Sequence, residues 1–300
     1  MISLVFNGYY RSGTTIMWWI MRESNPNMLH VYEPLSPDVS LDVPGNLHGV
    51  GIGKAIVEEY RRLPKLDEFR KIREKTNLTL PFELDQVKGV MDFLHDLDLP
   101  VIVQPNNFHF VLKDISRKYG CKVIHIIRNP VDTWIASTCL DPATTHLLTP
   151  KTMIFHKLAW VGLRTTPRIS LSILAMSRIN KGYYLEEEFE LIRNRFKCKN
   201  LVKDFLDKRL IVWAVCNYMA WRQVRASKHG MIVYYEDIVR DPEYWFEEME
   251  NFSGVKFSNT GKLKLYIYSS KVLKEAFIER LKILKLYPIV KQFYPPDRWF

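Results

Sequence analysis

The tract Asn7-Gly8-Tyr9-Tyr10-Arg11-Ser12-Gly13-Thr14-Thr15 is flanked by two apolar segments, Ile2-Ser3-Leu4-Val5-Phe6 and Ile16-Met17-Trp18-Trp19-Ile20-Met21. Apolar run, glycines with hydroxyl residues, and a second apolar run predict strand, loop and helix in succession. Such a loop faces the free N–H groups of a helix start and the positive end of its dipole, which together favour an anion. Phosphate or sulfate is the expected occupant. The bare alternative is a tight turn that binds nothing.

The spacing Gly8-x4-Gly13-Thr14-Thr15 overlays the phosphate loop Gly-x4-Gly-Lys-Ser/Thr, with Thr14 standing in the lysine position. Nucleotide kinases and NTPases use that lysine on the terminal phosphates and the following hydroxyl on Mg²⁺, so its loss removes a main charge. Here the cation is Arg11, two residues ahead of Gly13. The five positions Arg11 to Thr15 resemble the 5′-phosphosulfate loop of sulfotransferases that use 3′-phosphoadenosine 5′-phosphosulfate (PAPS), whose core reads Pro-Arg/Lys-Ser-Gly-Thr/Ser-Thr/Ser.

A second segment is Cys121-Lys122-Val123-Ile124-His125-Ile126-Ile127-Arg128-Asn129-Pro130-Val131-Asp132. Val123 to Ile127 suit a central parallel strand, Asn129 can N-cap a helix, and Pro130 suits its first position. Arg128 then stands at a strand's carboxyl end, the edge where open α/β sheets bind ligands. A plain surface ion pair is the alternative for that arginine. The segment resembles the 3′-phosphate element of the same family, a strand ending in Arg-Asp/Asn-Pro followed by a helix carrying a serine. In the family that serine lies eight residues after the arginine, a place held here by Ala136, with Ser137 one further on. One residue rotates a helical side chain by about 100°. Either the helix start is shifted or the contact of Ser137 is missing and Arg128 acts with backbone groups.

Two further stretches carry the resemblance. Asn25-Pro26-Asn27-Met28-Leu29-His30-Val31-Tyr32-Glu33-Pro34-Leu35 is similar to the segment after the phosphosulfate helix in carbohydrate sulfotransferases, and tyrosylprotein sulfotransferases place a glutamate base near the same distance. The resemblance implies Glu33 as general base; an ordinary surface acid is the alternative. Pro34 biases Glu33 towards an extended backbone. The stretch Ile232 to Pro242, containing Tyr234-Tyr235-Glu236-Asp237, looks like the family's later strand and helix, whose role is architectural. Cytosolic relatives use a histidine after a Lys-Thr/Ser pair; the corresponding Val103-Gln104-Pro105-Asn106-Asn107-Phe108-His109 lacks the pair, places Asn106 near the expected position and leaves His109 as reserve base.

Strand candidates at Ile2–Phe6, Pro100–Val103, Cys121–Ile127 and Met231–Tyr235 alternate with helical stretches at Thr14–Glu23, Lys54–Arg62, Leu84–Leu97, Phe108–Lys118, Pro130–Cys139 and Leu201–Lys228, the last with a possible break. That alternation predicts an α/β fold, a P-loop-like central parallel sheet with helices on both faces, as in the sulfotransferase fold. With 300 residues and 47% hydrophobic composition the chain is expected to form one domain. Residues 140–200 have no clean period and form the candidate helical insert on the acceptor side. Trp18 and Trp19 lie on a helix that is apolar nearly all round and are expected in the core.

The net charge of +10 suits a polyanionic donor, an acidic acceptor or a nucleic acid, yet the cations are spread and no nucleic-acid module is present. No run reaches the roughly 18 apolar residues of a membrane span. The first strand starts at once, leaving no room for a secretory signal, so a soluble cytoplasmic protein is expected. Cys121, Cys139, Cys198 and Cys216 are far apart, without metal-ligand spacing, and read as buried thiols.

What the resemblance implies is transfer of the sulfuryl group from PAPS to an acceptor hydroxyl without a metal. Arg11 neutralises the leaving oxygen, Ser12, Gly13, Thr14 and Thr15 hold the phosphosulfate, and Arg128 with Ser137 holds the 3′-phosphate. A sugar hydroxyl is favoured, with tyrosine or a lipid alcohol behind it. A P-loop nucleotide or sugar kinase and a basic nucleic-acid-binding protein remain as alternatives.

Overall fold

The computed structural model describes residues 1–36, 39–42, 50–76, 79–137, 185–196, 205–258 and 271–299. Strand β1 (Ile2–Gly8) is the middle strand of a five-stranded sheet. It lies between β3 (Val101–Gln104) and β4 (Lys122–Ile127), with β2 (Leu29–Tyr32) outside β3 and β5 (Gly230–Tyr234) outside β4. Every pairing is parallel. A parallel sheet buried on both faces explains why its inner strands are near-continuous apolar runs.

Helices cover both faces. Val5, Val31, Val103 and Val123 pack into one apolar cluster with residues of α2 (Val50–Arg61), α4 (Asp85–His95) and α5 (Leu112–Tyr119). Leu4, Phe6, Ile102, Ile124 and Val233 pack into another with residues of α9 (Tyr235–Arg240) and α10 (Pro242–Ser253). Helix α1 (Thr14–Ser24) feeds both, through Trp18 on one side and Met17, Ile20 and Met21 on the other. Trp18 is fully buried and its indole N–H donates to the His30 carbonyl at 3.2 Å, so it belongs to the core as expected.

Strand β2 is the element that the apolar pattern did not announce, because Leu-His-Val-Tyr is short and half polar. It is an edge strand, and its outward backbone groups are taken up by α2. The Glu59 carboxylate accepts the His30 N–H at 3.1 Å and the Tyr60 hydroxyl donates to the Tyr32 carbonyl at 2.7 Å. Glu59 is itself buried and held by Arg22 at 3.0 Å and Arg62 at 2.9 Å. An edge that could pair with another chain is closed by side chains instead. Helix α3 (Leu66–Lys75) follows α2 and packs against α4.

The chain divides into two compact units, residues 1–127 with 219–265, which hold the whole sheet, and residues 128–218 with 266–300. The described elements of the second unit are helices: α6 (Pro130–Ser137), α7 (Leu185–Phe196), the first part of α8 (Phe205–Arg225), α11 (Lys271–Ile283) and α12 (Tyr287–Phe293). Trp134 packs edge-on against Phe277 at 5.9 Å and Tyr294 against Trp299 at 5.6 Å, and Arg280 grips the fully buried Asp207 with two N–H groups. Helix α8 runs unbroken through the place where a break was possible, having neither proline nor glycine. Most of the expected insert at 140–200 lies outside the described residues; α7 is the part that is described.

Cys121 and Cys216 are buried free thiols, while Cys139 and Cys198 lie outside the described residues. Among the described residues no helix is long and apolar enough to cross a membrane.

Gly8 closes β1 where space is short. A Cβ there would stand 2.5 Å from Ile126 Cγ2 and 2.6 Å from Thr14 Cγ2, both on stiff β-branched stems. Gly8→Ala is expected to cost about 1–3 kcal/mol through overpacking. Urea unfolding checks it, as a lower midpoint at unchanged slope.

Candidate active site

Strand order places the site. From β1 the chain runs through α1 to β2 on one side, whereas from β3 it runs through α5 to β4 on the other. Neighbouring strands whose connections leave in opposite directions open a crevice at their carboxyl ends, the usual ligand position in open α/β sheets. The tract after β1 and residues 105–109 after β3 flank that point.

The loop is built as an anion cradle. Arg11 has φ 63° and Gly13 has φ 92°, and the Ser12 N–H closes a turn on the Tyr9 carbonyl at 3.0 Å. Gly13 is needed twice over, for its positive φ and because a Cβ would stand 2.5 Å from the Tyr235 ring. The start of α1 has no side-chain cap and no acid in its first turn, so its leading N–H groups keep their hydrogen-bonding capacity. The Ser12 Oγ is fully buried without a hydrogen-bond partner among the described residues. An unpartnered hydroxyl beside an uncapped helix start fits a phosphosulfate group.

Beneath the loop, Asn7 joins β1 to the segments on either side of it. Its Oδ1 accepts the Phe108 N–H at 3.2 Å, and its Nδ2 faces His109 Nδ1 at 3.2 Å and His125 Nδ1 at 3.0 Å. His109 is buried, and its pKa lies well below the ordinary value, first through burial and then through His125, against a hydrogen bond to the Asn106 backbone. The reserve base therefore lies in the interior, beside Asn7 and His125.

Glu33 departs from expectation in its backbone. In place of the extended conformation favoured before proline, it has φ 44°. Two bonds override that preference: its N–H extends the β2–β3 ladder to the Gln104 carbonyl at 2.6 Å, and its carbonyl accepts the Ser36 N–H at 3.0 Å in a turn containing Pro34. From α3, Arg73 holds the Ser36 and Val39 carbonyls beyond that turn.

The Glu33 side chain is only 7% exposed, and Asn106 Nδ2 donates to its Oε1. Tyr32 bonds to the same carboxylate, and its hydroxyl lies 2.7 Å from Thr15 Oγ1 on α1. Burial, and after it the Glu33 charge, raise the Tyr32 phenol well above its usual range, with Arg11 acting in the opposite sense. Tyr32 is thus a proton donor that links Glu33 to the loop helix.

Arg128 opens the second unit as the residue after β4. It is almost fully buried, its Nη2 stands 3.7 Å from Asp132 Oδ2, and its carbonyl accepts the Trp213 indole N–H at 3.1 Å. Asn129 caps α6 as the sequence implied, its Oδ1 accepting the Asp132 N–H at 2.9 Å, with Pro130 the first helical residue. Ser137 ends α6, and its side chain, like that of Ala136, lies outside the described residues.

The structure thus brings Arg11, Ser12, Gly13, Thr14, Thr15 and Glu33 to the carboxyl edge of one sheet, and places Arg128 and Ser137 in the second unit. Tyr32, Asn7 and Asn106 are polar members of the first group that the sequence did not single out as site residues. Asn106 did carry two signals: it stands near the position where the resemblance expects a histidine, and Pro105-Asn106-Asn107 is a turn sequence whose asparagine tolerates positive φ. Among the described residues no three His, Cys, Asp or Glu side chains come together as metal ligands.

The model of the sulfotransferase domain matches residues 3–274. The chain belongs to the sulfotransferase family. An uncharacterized protein of Archaeoglobus fulgidus is 41% identical over 323 aligned positions that cover 100% of each chain. The sulfotransferase domain of the Synechococcus PCC 7002 olefin synthase aligns over 92% of this chain and 80% of its own, at 16% identity and a TM-score of 0.39. Family membership favours sulfuryl transfer over the phosphoryl transfer and nucleic-acid binding that the sequence left open.

The buried histidines of this sulfotransferase set a pH dependence. Burial lowers both His109 and His30 below the ordinary 6.5. Below that value the unfolded chain takes up protons that the folded chain refuses, so stability is full above pH 6.5 and is lost as pH falls. Unfolding free energy is expected to decrease from pH 7.5 to 5.5, and His109→Gln to flatten the dependence; urea titrations across that range check it.

Proposed function

We propose that this sulfotransferase moves the sulfuryl group of PAPS to an acceptor hydroxyl, a carbohydrate hydroxyl being favoured, and releases adenosine 3′,5′-bisphosphate. The observation that carries the reading is the coupling of an uncapped anion cradle to a buried carboxylate through Thr15 and Tyr32. When bound, PAPS supplies an activated sulfuryl group on a good leaving phosphate. Everything else falls to side chains. Ser12, Gly13, Thr14 and Thr15, with the leading N–H groups of α1, hold the phosphosulfate, and Arg11 neutralises charge that develops on the leaving oxygen.

An alcohol is a weak nucleophile at neutral pH, and a carboxylate that accepts its proton contributes roughly 10²–10⁴-fold. Glu33 has that role. Arg128 takes the 3′-phosphate, and Ser137 assists it. The chemistry needs no metal. The family match over residues 3–274 supports reading the chain as one sulfotransferase domain. Buried thiols, with Cys121 pushed up to about 12 by burial, suit a cytoplasmic setting.

Adenosine 3′,5′-bisphosphate is expected to raise the melting temperature without added metal, and by more than AMP does; equal shifts would remove Arg128 from its role. With PAPS and a panel of sugar acceptors, Arg11→Ala should slow turnover by about 100-fold or more. Glu33→Gln keeps the shape and removes the basicity, so kcat should fall about 100-fold while affinity for the bisphosphate barely changes. A fully active Glu33→Gln beside an inactive, folded His109→Ala would move the base to the histidine.

A further inference from the structure

We infer that Asn106 is the positioning residue of the site, a fixed amide donor that aims the Glu33 carboxylate and keeps it ionised. Three hydrogen bonds orient it. Gln104 Nε2 donates to Asn106 Oδ1, which occupies the acceptor end of the carboxamide and turns Nδ2 towards Glu33 Oε1. The third bond joins the Asn106 carbonyl to His109. Since His109 Nδ1 faces the Asn7 amide, Nε2 is the nitrogen that carries the proton to that carbonyl.

The backbone points the same way. Asn106 sits at φ 60°, a left-handed conformation that asparagine tolerates better than most residues. Its side chain leaves a turn after β3 and meets Glu33, which leaves a turn after β2 at φ 44°. Two strained strand ends thus face each other across one hydrogen bond, and strain of this kind persists only where the surroundings over-determine it.

A buried carboxylate stays charged only if donors hold its charged form. Asn106 and Tyr32 are the donors here. The other groups around Glu33 are the Tyr60 hydroxyl on α2, which its charge helps to raise, Arg73 on α3, which opposes that rise, and Arg11, which acts on Tyr32. Among these groups the Asn106 amide is the one that supplies Glu33 Oε1 with a directed bond, which fixes its orientation.

The test is a ¹³C NMR pH titration of the Glu33 carboxyl carbon in the full chain, its signal identified by disappearance in Glu33→Gln. Asn106→Gly removes the amide and keeps positive φ accessible. Asn106→Asp keeps the shape and sets a second carboxylate against the first. The Glu33 midpoint is expected to move to higher pH in Asn106→Gly and further in Asn106→Asp. An unchanged midpoint in both variants overturns the inference.

The kinetic consequence rests on reading Glu33 as the base. With PAPS and an acceptor that turns over, Asn106→Gly should lower kcat about tenfold with little change in KM for PAPS, and move the acid limb of the rate profile upward. In a Glu33→Gln background the same change should add no further loss. Full activity in Glu33→Gln would defeat the base, while the titration still decides whether Asn106 holds the carboxylate. An impaired Glu33→Gln beside an Asn106→Gly that matches wild type in midpoint and kcat would defeat the positioning role alone.

Discussion

The carboxamide of Asn7 is the contact on which the candidate site depends. One residue before Gly8, it ties β1 to the β3–α5 turn through Phe108 and His109, and to β4 through His125. A backbone ladder holds strands at fixed spacing but leaves the loops beyond them free. Asn7 extends the tie past the ladder, into the segment whose carbonyl at Asn106 is set by His109. Buried and surrounded by partners, it forms a network in which each bond limits the geometry of the next.

Three strand ends leave the sheet through non-glycine residues at positive φ: Arg11 after β1, Glu33 after β2 and Asn106 after β3. Each such conformation costs on the order of 1–3 kcal/mol and must be offset by its surroundings. The offsets are visible for two of them. Glu33 gains the ladder bond to Gln104 and a turn to Ser36, and Asn106 gains bonds from Gln104, to Glu33 and with His109. Stability is thus concentrated beneath a surface where the side chains are aimed by backbone that would not adopt these angles alone. That is a physical basis for a preorganised site.

Much of this was legible in the sequence where the chemistry is local. The glycine spacing from Gly8 to Gly13, the uncapped hydroxyl-rich helix start, and the Asn129-Pro130 cap each depend on neighbours within a few residues, and each is found in its expected place. The parallel sheet followed from apolar runs separated by helical stretches. Strand β2 did not, because an edge strand of four residues carries little apolar pattern and owes its stability to Glu59 and Tyr60 on a helix some thirty residues later. The backbone of Glu33 was misread for the same reason: the preference imposed by Pro34 is local, and a ladder bond from a distant strand outweighed it.

The sequence by itself determined the glycine loop, the family and the alternation of the central strands with helices, since these are written in residue type and short spacing. Only the tertiary structure decided which polar residues meet. Asn7 is separated from Phe108, His109 and His125 by more than a hundred positions along the chain, and Asn106 from Glu33 by 73. Parallel pairing through crossover helices brings such positions to one edge, and no local propensity encodes which of them will face each other.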